Sequence, residues 1–111
     1  MIEVDPEAAL ELLDARDYYQ KARSGLGAVF ELAAQRTLDA IEAAPERYPL
    51  HRFARTPGVR RALFLPPPRF PYALSYLLRP GKGPYVLAAE HFRREPMYWA
   101  IRLRSFVKPG G

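Results

Sequence analysis

The chain contains no cysteine, which excludes a disulfide framework and a thiolate metal site. Lysine is nearly missing as well. Lys21, Lys82 and Lys108 are its only occurrences among seventeen basic residues, so the positive charge rests on arginine. No run approaches the ~20 apolar residues of a membrane span. The opening Met1-Ile2-Glu3-Val4-Asp5 has neither the basic start nor the apolar stretch of a secretory signal. A cytoplasmic protein is expected, with no membrane partner, no cofactor and no bound metal. Acidic residues also run out. Only Glu90 and Glu95 occur after residue 46.

That last scarcity divides the chain electrically. Residues 1–46 carry ten acidic and four basic side chains, a balance of −6. Residues 47–111 carry two acidic and thirteen basic, a balance of +11. The two give the overall +5. Such asymmetry fits a basic surface that meets an acidic partner or nucleic acid. Arginine in excess of lysine favours planar, two-pronged contacts to carboxylate or phosphate. A length of 111 residues suits one domain, 1–111, with one modest core.

Ile2 and Val4 flank Glu3 as a short strand would. Asp5-Pro6-Glu7 then has the marks of a helix start: a capping carboxylate, a proline at the first turn and an acid at the positive end. Ala8, Leu12, Ala15, Tyr19 and Ala22 fall on one helical face, and Arg23-Ser24-Gly25 closes that helix. A second helix is predicted from about Leu26 to Ala44 with a stripe of Phe30, Ala33, Ala34, Thr37 and Ile41, ended by Pro45. The short connection folds the two into an antiparallel hairpin.

Residues 45–58 hold Pro45, Pro49, Pro57 and Gly58 and are read as an irregular loop. Three strand-like runs follow, at Val59–Leu65, Tyr72–Leu78 and Tyr85–His91. Pro66-Pro67-Pro68 lies between the first two and cannot donate to a ladder. Short turns between sequential strands imply an antiparallel meander. Pro96–Phe106 suits a short helix or an edge strand. The resulting fold class is α+β, a helical hairpin laid over one face of an antiparallel sheet. In that arrangement Trp99 is expected against the hairpin, and Tyr72 and Tyr76 at the core with Leu74 and Leu78.

Three segments carry a resemblance. Val59-Arg60-Arg61 opens the first meander strand, Arg69-Phe70-Pro71-Tyr72-Ala73-Leu74-Ser75-Tyr76 makes the second, and His91-Phe92-Arg93-Arg94-Glu95-Pro96-Met97-Tyr98-Trp99 follows the third. With the helical hairpin before them, in this order, they are similar to the RelE/ParE toxin superfamily of plasmid-stabilisation proteins. The resemblance implies a RelE/ParE-like fold and a toxin neutralised by a cognate acidic antitoxin, with which it can form a hetero-oligomer. It implies one of two targets. ParE-like members poison DNA gyrase, and RelE-like members cleave mRNA on the ribosome. The Phe-Pro-Tyr and His-x-Arg-Arg-x-Pro pattern, with so few lysines, favours the ParE-like branch.

Metal-free RNA cleavage needs a base for the 2′-hydroxyl, an acid for the leaving oxygen and cations for the phosphate. Arg52, Arg55, Arg60 and Arg61 are candidates for the cations, and Glu90, His91 and Tyr98 for proton transfer. The inventory is thin. Arginine stays protonated and is a poor base, and Glu90 and His91, adjacent on a strand, point to opposite faces. If the chain is a ribonuclease, Arg52, Arg55, Arg61, His91 and Tyr98 are its expected catalytic set. For contact with a target or an antitoxin the expected residues are Arg60, Arg61, Arg93, Arg94 and Arg102.

Overall fold

The computed structural model describes residues 1–52, 58–95 and 97–105. Its elements run β1 (Glu3–Val4), α1 (Pro6–Ala22), α2 (Leu26–Ala43), β2 (Val59–Leu63), β3 (Tyr72–Arg79), β4 (Gly83–His91) and a 3-10 helix (Ala100–Ser105). The expected α+β class is present, as two helices over a four-stranded sheet ordered β1-β4-β3-β2. No helix among the described residues is long and apolar enough to cross a membrane.

The helix ends form as their chemistry requires. The Asp5 carboxylate accepts from the Glu7 N–H at 2.8 Å, and Pro6 needs no partner for the donor it lacks. At the hairpin turn Gly25 takes φ +89°, a left-handed backbone that a side chain rarely tolerates. The Gln20 side chain accepts from both Gly25 and Gly27 N–H at 3.1 Å, so α1 itself caps the start of α2. Ala8 and Ala15 are buried, as the helical spacing predicts, whereas Ala22, in the last turn of α1, is exposed.

The stripe of α2 enters the core. Phe30 is 1% exposed, stacked on Tyr19 and surrounded by Phe64, Phe70 and Tyr72 at centroid distances of 5.2–5.3 Å. Thr37 donates to the Ala33 carbonyl at 2.8 Å and accepts from the Leu65 N–H at 3.0 Å, tying α2 to the chain leaving β2. Tyr76 donates to the Pro45 carbonyl at 2.6 Å, and burial raises its pKa to about 12.

The sheet departs from the expected all-antiparallel meander. β2–β3 and β3–β4 are antiparallel, but β1 runs parallel to β4, pairing Glu3 with Tyr85 and Val4 with Val86. The Asp5 N–H extends this contact to the Val86 carbonyl. The first residue passes so close to Gly83 that a Cβ there would lie 2.6 Å from the Met1 carbonyl oxygen. A bulge sits opposite Ser75 and Tyr76. These residues pair with Ala88 and Val86, leaving Leu87 as the extra residue.

Trp99 is the second departure. It is fully buried, but in a cluster with Val59, Leu77, Leu87, Ala88 and Leu103, separate from the hairpin cluster of Phe30, Ile41, Phe64, Leu74, Tyr76 and Val86. Alternation along β2 and β3 assigns these clusters to opposite faces of the sheet. The last segment therefore forms a third layer. Its 3-10 helix agrees with the helical alternative for residues 96–106 and excludes the edge strand over Ala100–Ser105.

Candidate functional site

Strand alternation sets up the site. β4 ends in Glu90 and His91, and they diverge as expected. Glu90 joins the face covered by Trp99, while the His91 ring meets Tyr72, on the hairpin face, at 5.0 Å. Glu90 is 4% exposed, yet its carboxylate is well supplied with partners. Ser75 donates from its hydroxyl at 2.5 Å, the Trp99 indole N–H at 2.8 Å and His51 Nε2 at 3.2 Å. Arg61 Nε stands 3.2 Å away as an ion pair, although its N–H is not aimed well enough for a hydrogen bond. An isolated buried carboxylate is costly, and convergent donors offset that cost.

Above this floor lies a cleft of about 180 Å³ lined by His51, Arg52, Arg61, Glu90, His91, Phe92 and Arg94. Several of these side chains are positioned by local contacts. His51 is held by its N–H to the Val59 carbonyl, and its ring meets Trp99 edge-on at 5.3 Å. Arg61 extends from β2, its guanidinium 5.3 Å from the centre of the half-exposed Phe92 ring. The turn after β4 closes with the Arg94 N–H on the His91 carbonyl. Arg94 itself lies over the Tyr98 ring at 3.8 Å, a close cation–π contact.

Of the residues singled out in the sequence, Arg52, Arg61, His91 and Arg94 meet at this cleft. Arg93 is exposed beside it. Arg60 does not join them. Next to Arg61 on a strand, it faces the opposite way and donates to the Glu46 and Tyr48 carbonyls at 3.2 and 2.6 Å, bracing the chain that leaves α2. Arg102 is also occupied with structure. It donates to both Glu11 oxygens at 2.9 and 3.3 Å and to the Leu87 carbonyl at 2.8 Å. Arg55 lies outside the described residues.

Of the three proton-transfer candidates, Glu90 is the buried floor of the cleft, and His91 and Tyr98 are both engaged. His91 Nδ1 accepts the Arg93 N–H at 3.0 Å. A neutral ring in that arrangement carries its proton on Nε2 and has no free lone pair to act as a base. Tyr98 donates to Glu11 at 2.6 Å, and its pKa is raised, first by burial and then by that bond. Ser75 and His51 were not singled out by sequence reasoning. A single serine among the aliphatic and aromatic residues of Tyr72–Leu78 was the available signal for Ser75. His51 carried none, because its partner is 39 residues away.

The chain matches no protein-family model and no curated protein.

Proposed function

We propose that this protein is the toxin half of a toxin–antitoxin pair of the RelE/ParE kind, and that it acts by docking on a protein target, DNA gyrase, rather than by cutting mRNA. The family reading rests on the ordered motifs from Val59-Arg60-Arg61 to Tyr98-Trp99, and the helical hairpin over a sheet is compatible with it. The observation that carries the choice of mechanism is the engagement of His91 and Tyr98. The lone pair of His91 is taken by the Arg93 N–H, and the proton of Tyr98 is held by Glu11. Glu90 and His51, the remaining acid–base groups lining the cleft, are both buried and bound to each other, with Glu90 held further by Ser75 and Trp99. General acid–base catalysis needs such groups within reach of the substrate and at liberty to exchange a proton. What remains is a cationic, aromatic-edged surface suited to binding.

One observation favours the RelE-like alternative of ribosome-dependent mRNA cleavage. Arg52, Arg61, His91 and Arg94 share one cleft, and catalytic hydrogen bonds can tighten only when substrate is bound. Induction of the protein without its antitoxin separates the readings. DNA breaks with intact mRNA are expected. Codon-spaced mRNA cuts with intact DNA, lost in His91→Ala by about 10²–10⁴-fold, would reverse the assignment. The cognate antitoxin is proposed to be an acidic chain that meets the basic half, so its association should slow markedly as salt rises. A salt-independent rate would remove the electrostatic argument.

A further inference from the structure

The cleft over Glu90 does not end at His91. His91 and Arg94 also form a wall of a second hollow, of about 290 Å³, whose other walls include Glu11, Asp14, Tyr18 and Tyr72. The two hollows thus share one ridge, His91 and Arg94, and the solvent-accessible charges beyond it differ in sign, with Asp14 on the α1 side and the arginines Arg52 and Arg61 on the β2 side. On the α1 side, Glu11 is matched by Arg102. Asp14 is exposed and makes no salt bridge among the described residues. Beside it Tyr18 is 67% exposed, an aromatic surface next to a carboxylate. On the β2 side, Glu90 is matched by Arg61. Arg94 makes no salt bridge among the described residues and lies over the Tyr98 ring, and Phe92 is 48% exposed.

We infer that the two hollows form one bipolar groove for an extended protein segment. An acidic side chain of that segment sits against Arg94 and Phe92, and a basic side chain sits between Asp14, Tyr18 and Tyr72. The inference rests on the docking reading above and names the chemistry of the partner. Size supports a peptide. Each hollow is smaller than the roughly 300–1,000 Å³ of a small-molecule site, and each suits a single side chain. Charge supports it too. A nucleic acid strand is anionic along its whole length and would gain at Arg94 only to be repelled at Asp14. A segment with one charge of each sign is attracted at both ends. The aromatic rings add cation–π contact for the basic side chain.

The test is a nuclear magnetic resonance titration of the full chain with four probes. They are a short capped peptide carrying one glutamate and one arginine, its two counterparts with both charges acidic or both basic, and a short single-stranded RNA. The mixed peptide is expected to move the amide signals of Tyr18 and Phe92 together, and to bind roughly fivefold more tightly than either uniformly charged peptide. Asp14→Asn should abolish its advantage over the acidic peptide, and Arg94→Gln its advantage over the basic one. Both positions are exposed, and an unchanged spectrum elsewhere verifies the fold. Equal binding of the acidic and mixed peptides would overturn the groove in favour of a plain basic patch. Tighter binding of RNA, strengthened by Asp14→Asn, would overturn it in favour of nucleic acid. If induction breaks no DNA while the mixed-peptide preference holds, the gyrase reading fails and the groove stands. DNA breaks without that preference would mean the reverse.

Discussion

On the hairpin side of the sheet, Phe30 touches aromatic rings from α1, β3 and the chain around them, and the contacts are almost entirely apolar. On the other side a carboxylate occupies the equivalent depth. Glu90 gathers Ser75, Trp99, His51 and Arg61 from four separate parts of the chain. The first face has many interchangeable contacts and tolerates small changes of shape. The second has few contacts, each directional, and each fails if its partner is removed. The covering layer is short, with Trp99 and Leu103 buried and Met97 and Tyr98 half-buried beside them, and directional bonds from Trp99 and Tyr98 fix its orientation.

Truncation is the most direct way to break this comparison. Phe30→Ala should destabilise the fold by about 3–5 kcal/mol, read from urea unfolding. A loss below about 1 kcal/mol would mean that the hairpin does not pack as described. Glu90→Ala should cost about 3 kcal/mol, because it leaves buried donors without an acceptor. Glu90→Gln, which keeps the volume and one carbonyl oxygen, should cost roughly half as much. Equal stability of the Glu90→Gln variant and the parent chain would show that apolar contacts alone hold the far face.

Tyr98→Phe removes a hydrogen bond to a carboxylate and should cost about 1.5–2 kcal/mol. The same tyrosine sharpens the comparison in pH. Its folded pKa, like that of Tyr76, is raised above the usual 10. A raised pKa means that the folded state keeps its proton longer. Stability from these groups is therefore complete below about pH 10 and is lost as pH climbs through the folded values. Unfolding free energy should fall between about pH 10 and 12, and Tyr76→Phe should make that fall shallower. A slope unaltered by either substitution would remove both tyrosines from the alkaline transition. Arg93→Ala stands at the small end, within about 0.5 kcal/mol in stability, since its side chain is exposed. A larger change in thermal unfolding would reveal a structural role.

The hairpin was legible in the sequence because its signals are local. Asp5-Pro6 marks a start, Gly25 marks a turn, and the stripe from Phe30 to Ile41 repeats with the helical period. The parallel pairing of β1 with β4 was not legible, since a two-residue strand has no period and its partner lies about eighty residues on. The face taken by Trp99 depends on how the chain turns after His91, where a single tryptophan has no pattern to read. The site shows the same division. Alternation separated Glu90 from His91 correctly, and arginine next to arginine suggested function. Only long-range folding shows that Arg60 and Arg102 are spent on bracing the chain while Arg61 and Arg94 reach the cleft. The convergence of Ser75 and His51 on Glu90 spans 15 and 39 residues and leaves no trace in local spacing.

The bulge at Leu87 has a consequence for the last residues of β4. It works as a phase-shifter, absorbing one residue so that the two-residue rhythm restarts one step late. If Leu87 were drawn into the ladder opposite Ser75, every later residue would change sides, carrying Glu90 towards the aromatic core and His91 under Trp99. The division of labour between these neighbours thus depends on a single uncounted beat. Deleting Leu87 should leave their orientation intact, whereas an inserted residue between Ala88 and Glu90 should exchange them.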